Sequence, residues 1–155
     1  MRIGLCASMN VDDLSMGGSE LAPILAEIGY DYIELSLAHL VLLSDSELNK
    51  VITRLKQSGL PCESCNNFFP SSLKLTGANV DWEKIKEYVR KALETAALVG
   101  AKILVFGSGQ AKNIPDGFQI FIFNKNLFVQ KFLQIHLMNK QFHGIQYIHS
   151  LMLDI

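Results

Sequence analysis

A polar, glycine-rich loop at residues 107–110, Gly-Ser-Gly-Gln, has the composition of a ligand-binding loop. It directly follows a short apolar run at 103–106, Ile-Leu-Val-Phe, which is typical of a parallel strand buried on both faces. Loops at the carboxyl ends of such strands are where α/β proteins place their ligand sites. Gly107, Ser108 and Gly109 are therefore candidate binding residues. An ordinary turn uses the same residues, so both interpretations stay open at this point.

Two other groups of residues suggest metal or redox chemistry. Cys62 and Cys65 have the spacing of a thiol motif, but in a regular strand they would lie on opposite faces, and no helix start or second ligand pair follows them. His136, His143 and His149 are spaced by seven and six residues, which matches no common ligand pattern. We predict neither a thiol site nor a metal site.

The elements that must position the loop at 107–110 alternate between strands and helices. Apolar runs predict strands at 2–7, 30–37, 62–69 and 103–106. Amphipathic stretches predict helices at 19–28, at 44–58 behind a Ser44/Glu47 capping box, and at 81–99 between an Asp81 cap and Gly100. This alternation indicates an α/β fold with a parallel sheet. Periodicity alone leaves two architectures open, a doubly wound sheet and the first half of an eight-stranded βα barrel.

Length and composition exclude several classes of protein. The chain has 155 residues, enough for one domain, and its net charge of -1 provides no basic surface for nucleic acid or anionic lipid. Polar residues interrupt every apolar window long enough to span a membrane. Three cysteines cannot all pair internally and the sequence begins with no secretory signal, so we expect a cytoplasmic protein.

Three stretches, IGYDYIELSL, CNNFFPSSLKLTG and ILVFGSGQAKNIPDGF, occur in an order and spacing that resembles the xylose isomerase-like barrel superfamily, in particular its sugar phosphate isomerase/epimerase branch. The resemblance covers residues 1–118. It implies the first four βα units of a TIM barrel, followed by an atypical tail at 119–155, and a sugar or polyol as the ligand.

The resemblance also implies roles for individual residues. It places Glu34 at the mouth end of the second strand, facing the pocket, and His39 in the loop beyond, within reach of a sugar hydroxyl. Asn66 and Asn67 end the third strand and can both donate and accept hydrogen bonds, as polyol recognition requires. Each residue also has a structural interpretation: a solvated or lysine-paired Glu34, an ordinary loop histidine, and asparagines that bond only to the loop backbone.

The glycine loop would let backbone amides of Gly107, Ser108 and Gly109 approach a substrate oxygen. Lys112 stands where proteins of this branch often have arginine, so an anion contact there would lose its bidentate geometry.

The resemblance implies isomerase or epimerase chemistry in full-length proteins, in which a divalent metal polarises the substrate while carboxylates move a proton. The metal ligands and the catalytic glutamates of that branch come from later strands, and this chain has no matching positions. We therefore expect no catalytic residue, no tightly bound metal and no activity in the chain as written, although it derives from an enzyme.

The tail at 119–155 differs from the rest of the chain. Asp154 is its single acidic residue, out of 15 in the whole chain, and it has no arginine. We interpret the change as a shifted reading frame or a truncated gene. The alternative is a genuine segment that packs on the half-barrel or forms an oligomer interface. Two further hypotheses remain, namely a half-barrel module that dimerises through its open edges and a small flavodoxin-like binding domain.

Overall fold

A computed structural model describes residues 1–7, 17–78, 80–113 and 146–148 of the chain. The described residues form one five-stranded parallel sheet and four α-helices. The strands are β1 (Gly4–Cys6), β2 (Tyr32–Ser36), β3 (Cys62–Asn66), β4 (Ile103–Val105) and β5 (Gln146–Ile148). The helices are α1 (Ala22–Glu27), α2 (Leu37–Leu40), α3 (Asp45–Ser58) and α4 (Trp82–Val99).

The order of the strands in the sheet is β1-β2-β3-β4-β5, and every neighbouring pair is parallel. A doubly wound sheet reverses its order at a switch point, whereas a βα barrel adds each new strand to the same edge. The observed order is that of a barrel, and it does not fit the flavodoxin-like hypothesis.

The helix ends follow the predicted sequence signals. Ser44 Oγ accepts a hydrogen bond from the Glu47 amide, and Glu47 accepts one in return from the Ser44 amide, which completes the capping box of α3. Asp81 Oδ1 accepts a hydrogen bond from Lys84 N at 3.1 Å at the start of α4. Gly100 ends that helix at φ 86°, a left-handed conformation that favours glycine.

Two predicted features differ in the structure. The helix predicted at 19–28 begins only at Ala22, because Ser19 begins a short 3-10 turn, Ser19–Leu21. The buried Ser19 hydroxyl accepts a hydrogen bond from Arg54 at 3.2 Å. His39 lies in α2 rather than in a loop, because the chain turns directly from β2 into one helical turn.

The core lies between the sheet and the helices. On the strands, Ile33, Leu35 and Leu104 are at most 1% exposed, and they pack against apolar side chains of the helices. The helical side of this core comprises Leu25 of α1, Val51 and Leu55 of α3, and Ile85, Val89, Leu93 and Ala96 of α4. One face of the described sheet is therefore packed against the helices.

At the amino end of the sheet, Arg2 ties the first strand to the third. Its guanidinium makes two hydrogen bonds to the Glu63 carboxylate, both of 2.8 Å. These hydrogen bonds hold the pKa of Glu63 below its usual value. The contact between Arg2 and Glu63 stabilises the amino end of the sheet. The candidate site lies at the other end, where loops follow the carboxyl ends of the strands.

The atypical tail lies outside the described residues except for β5. Its three residues continue the parallel sheet, with Leu104 paired to Tyr147. This strand was not predicted from the sequence. Among the described helices, none combines the length and the apolar composition needed to cross a bilayer.

Candidate functional site

The candidate site is a polar patch on the face of the sheet opposite the helices. Paired residues of parallel strands point to the same side, and the register pairs Cys6 with Glu34, Glu34 with Ser64, and Ser36 with Asn66. Neighbouring Ile33 and Leu35 point to the other side, into the core. Alternation along β2 therefore separates a polar face from an apolar one.

Glu34 lies at the centre of this patch. Its Oε2 accepts a hydrogen bond from Ser64 Oγ at 2.7 Å, and its Oε1 accepts one from Asn66 Nδ2 at 2.6 Å. Asn66 Nδ2 also lies 2.9 Å from Cys6 Sγ. Two side chains of the neighbouring strand β3 thus hold the carboxylate in one orientation, and no lysine takes part in the contacts described for it.

A bulge in β3 creates this arrangement. Ile33 pairs with Cys62 but Glu34 pairs with Ser64, so Glu63 is an extra residue in the strand. Without the extra residue, Ser64 would not face Glu34. The polar contact of the site therefore depends on an irregularity that hydrophobic periodicity does not reveal.

The same bulge corrects the prediction for the two cysteines. Cys62 and Cys65 do not lie on opposite faces; both point into the core, with their sulfurs 3.9 Å apart. The hydrogen bond with Cys62 and burial raise the pKa of the Cys65 thiol, which disfavours the thiolate that metal binding or redox exchange requires. The pair therefore packs as two small apolar side chains.

Asn67 ends β3 and turns the chain into the next loop. Its φ of 49° is a left-handed conformation that asparagine tolerates better than most residues. Its carbonyl accepts a hydrogen bond from Ala38 N at 3.2 Å, and its side chain donates to Ser36 Oγ at 3.4 Å. Asn67 is exposed at the carboxyl edge of the sheet, whereas Asn66 belongs to the Glu34 cluster.

Ser108 differs in exposure from its two neighbours in the loop. It is buried, and its Oγ accepts a hydrogen bond from Phe69 N at 2.6 Å, which joins the loop after β4 to the loop after β3. Gly107 and Gly109 are exposed. The structure thus separates the predicted trio into one anchoring residue and two accessible ones.

An aromatic cluster under the loops holds them in place. Phe69 lies against Phe68, Phe106 and Tyr88, with ring centroids 4.8, 5.3 and 5.4 Å away. Tyr88 of α4 donates its hydroxyl hydrogen bond to the Phe68 carbonyl at 2.7 Å, and burial raises the pKa of that hydroxyl. The sequence analysis did not identify this cluster, although the pair Phe68-Phe69 after a strand is the signal that could have revealed it.

The structure brings together some of the predicted site residues. Glu34 and Asn66 are in direct contact, and Gly107 lies near the Asn67 backbone, where an added Cβ would be 3.9 Å from Asn67 N. His39 is half-buried in α2, and no contact described for it joins it to the Glu34 cluster. Ser64 and Cys6 are additional members of the cluster.

Comparison with known proteins shows the fold. No family model matches the sequence, and no curated protein is detectably similar to it. The structure of D-allulose 3-epimerase from Methylomonas sp. in complex with D-allulose superposes with a TM-score of 0.65 at 18% identity, over 96% of this chain and 50% of that one. The chain folds as part of a βα barrel.

Two further barrels support this conclusion. D-psicose 3-epimerase from Clostridium cellulolyticum H10 with D-tagatose has a TM-score of 0.64 at 14% identity, over 95% of this chain and 51% of that one. A D-psicose 3-epimerase in the presence of D-fructose has a TM-score of 0.56 at 19% identity, over 68% and 36%. The chain thus spans about half the length of these epimerases or less, and at such identities the likeness concerns the fold.

Proposed function

We propose that this chain belongs to the sugar isomerase/epimerase branch of the xylose isomerase-like barrels and binds a sugar or polyol on the polar face of its sheet. The observation that carries the proposal is the carboxylate of Glu34, held by Ser64 and Asn66 on the sheet face that a barrel turns inward. The fold neighbours are sugar epimerases, and their likeness supports the same class of ligand.

The chemistry of the patch suits a polyhydroxylated ligand. A sugar hydroxyl donates one hydrogen bond and accepts others, so its site needs fixed acceptors as well as donors. Glu34 supplies an oriented acceptor, because Ser64 and Asn66 occupy only part of the hydrogen-bonding capacity of its two oxygens. Asn67 and the exposed loop glycines add amide groups at the carboxyl edge.

The described residues do not fit a divalent cation. In the branch that this chain resembles, such an ion polarises the carbonyl and hydroxyl groups of the substrate. Within residues 1–7, 17–78 and 80–113, no three His, Cys, Asp or Glu side chains lie close enough together to hold a metal. Asn66 moreover presents its amide nitrogen, a donor, to Glu34.

We propose that the chain binds a sugar but does not epimerise it. Epimerisation needs one group to remove a proton from carbon and another to return it from the opposite face. The polar patch presents a single carboxylate, and the branch takes its catalytic glutamates from later strands. We accordingly propose that the described residues bind a sugar without interconverting it.

A sugar titration tests both parts of the proposal. We expect D-allulose, D-fructose or D-tagatose to bind the purified chain with roughly millimolar affinity in ligand-observed NMR, and no ketohexose to be interconverted in the presence of Mn²⁺. 1,6-Hexanediol, which has the carbon chain but few hydroxyls, serves as the control ligand. Absence of sugar binding contradicts the site, and chelator-sensitive epimerisation contradicts the inactivity.

A second candidate function is a half-barrel module that pairs with a second copy of itself. Strand β1 is one edge of the described sheet, and Ile3 just before it is 50% exposed. At the helix that follows β1 in the chain, Ile24 is 56% and Ile28 is 64% exposed. Ile24 of α1 and Ile28, which caps its carboxyl end, are four positions apart and therefore lie on one side of that helix. An exposed strand edge beside apolar side chains favours association.

Light scattering after gel filtration measures this association. We expect a dimer for the unaltered chain and a monomer for the Ile24→Lys/Ile28→Lys double variant, because buried lysines at an interface lose their hydration. Leu42→Lys is the matched control, since Leu42 is 69% exposed and lies after α2 rather than on α1. A monomeric unaltered chain, or a double variant that stays dimeric, rules out this interface.

A further inference from the structure

We propose that Arg2 is a positioning residue of the polar patch. It holds Glu63, the extra residue of β3, and thereby keeps Ser64 opposite Glu34. Arg2 acts through Glu63 and Ser64 rather than through contact with a ligand. The effect on sugar binding rests on the proposed function, whereas the effect on the bulge does not depend on it.

The Arg2 side chain reaches from the residue before β1 to β3, and it passes over the start of β2, which lies between them. Its Nη1 and Nη2 donate to the two carboxylate oxygens of Glu63, each at 2.8 Å. Nη2 also donates to the Asp31 carbonyl at 3.4 Å, and the guanidinium carbon lies 5.6 Å from the centroid of the Tyr32 ring. Contacts with three partners orient the guanidinium, so both of its donors meet the Glu63 carboxylate.

The backbone of Glu63 is held from the other side of β3. The Glu63 carbonyl accepts a hydrogen bond from Lys102 N at 2.9 Å, directly before β4 begins. Arg2 thus fixes the side chain of the extra residue, and Lys102 fixes its main chain. The bulge is therefore pinned from both sides of the strand that carries it.

The bulge decides which residue of β3 faces Glu34. Glu34 pairs with Ser64, one position beyond the partner that a regular strand would give it. A regular strand would place Glu63 opposite Glu34, and two carboxylates on neighbouring strands repel each other. It would also remove the hydrogen bond of 2.7 Å that Ser64 Oγ donates to Glu34. By holding Glu63 at the amino end, Arg2 favours the register in which Glu34 has a donor.

Two buried thiols report on the bulge without any ligand. Cys62 and Cys65 lie on either side of it, both are at most 2% exposed, and their sulfurs are 3.9 Å apart. In a strand without the extra residue, one of the two would face the polar side of the sheet. Opening of the bulge therefore exposes a thiol to Ellman's reagent, and the rate of reaction measures how often the bulge opens. Cys6 is exposed and reacts first, which provides an internal reference.

The charge-reversed variant Arg2→Glu tests the proposal. Its carboxylate would repel that of Glu63, and because the Arg2 side chain is 57% exposed, the change leaves no cavity in the core. A tenfold shift of the opening equilibrium, from about 0.1 to about 1, halves the closed fraction and raises the open fraction about fivefold. We therefore expect D-allulose to bind about twofold more weakly in ligand-observed NMR, and the buried thiols to react about fivefold faster.

A second variant restores the pair with reversed polarity. Arg2→Glu/Glu63→Arg should recover most of the sugar affinity and most of the thiol protection, which would show that Arg2 acts through Glu63. Lys86→Glu is the matched control, since it reverses the cation of an ion pair of 2.7 Å between Lys86 and Glu83 on α4. It should leave both measurements unchanged.

The two measurements separate the positioning role from the proposed function. If the unaltered chain binds D-allulose and Arg2→Glu matches Lys86→Glu in both measurements, the positioning role is wrong while the proposed function stands. Faster thiol reaction with unchanged sugar affinity also overturns the positioning role, as do losses that Glu63→Arg does not restore. If no sugar binds but the thiol reaction accelerates and is rescued, the proposed function fails while the action of Arg2 on the bulge stands.

Discussion

The Glu34→Gln variant is expected to lose most of its affinity for a sugar while it keeps its fold. The substitution preserves the shape of the side chain but removes its charge. A hydrogen bond to a charged group is worth about 1.5–3 kcal/mol, so the dissociation constant should rise roughly ten- to a hundredfold. NMR titration with the sugar that binds the unaltered chain measures the change.

The neighbours of Glu34 explain why the fold should survive. The glutamine carbonyl can accept the hydrogen bond from Asn66 Nδ2, and its amide can donate to Ser64 Oγ, because a hydroxyl accepts as readily as it donates. Both contacts of 2.6–2.7 Å can therefore be rebuilt with reversed polarity on the Ser64 side. Urea denaturation should show only a small loss of stability.

Glu87→Gln is the matched control for this prediction. Glu87 lies on the exposed face of α4, so the same change of charge occurs far from the polar patch. We expect unchanged sugar affinity in this variant. If both variants weaken sugar binding equally, the effect is one of net charge; if neither does, Glu34 does not contact the ligand.

Much of the fold could be predicted from the sequence because its signals are local. The capping box at Ser44, the cap at Asp81 and the left-handed stop at Gly100 each depend on a few adjacent residues, and all three are confirmed. The strand at 103–105 also has a clear composition, although only Leu104 of its three residues is fully buried. The choice between a barrel and a doubly wound sheet instead needed the order of strands, since periodicity describes each strand but not its neighbours.

The geometry of the candidate site was harder to predict. The contact between Glu34 and Ser64 depends on the bulge at Glu63, and a regular strand places Cys62 and Cys65 on opposite faces, contrary to the structure. One inserted residue moves the side chains that precede it in the strand to the opposite face of the sheet. Sequence patterns could therefore locate the polar ends of the strands but not decide which side chains meet.

The role of Ser108 illustrates the same limit. A Gly-Ser-Gly loop predicts that the backbone comes close to a ligand. The serine instead points inward, and its hydroxyl accepts a hydrogen bond from Phe69 N. That contact joins residues 39 positions apart in the sequence. No local pattern encodes such a partner, whereas the two glycines on either side are exposed.

Phe69→Ala is expected to destabilise the protein more than any surface change. The Phe69 side chain is 1% exposed and contacts the rings of Phe68, Phe106 and Tyr88. Truncation of a buried phenylalanine costs about 3–5 kcal/mol through lost burial and the cavity left behind. Because domains of this kind are stable by about 5–15 kcal/mol, the variant should unfold at a much lower urea concentration.

The position of Phe69 couples this loss of stability to the site. Its ring contacts Phe106, and its backbone amide donates to Ser108, so it anchors the loop after β4 to the loop after β3. Ser108→Ala removes only the hydrogen bond and should cost about 1–3 kcal/mol, since it leaves a buried amide unsatisfied. Leu98→Ala, at a side chain 60% exposed, is the control and should cost less than about 0.5 kcal/mol.

A Phe69→Ala variant as stable as Leu98→Ala would show that the aromatic cluster does not hold the loops. If instead stability falls in the order Leu98→Ala, Ser108→Ala, Phe69→Ala, with sugar affinity decreasing in the same order, the loops around the site depend on this cluster for their geometry.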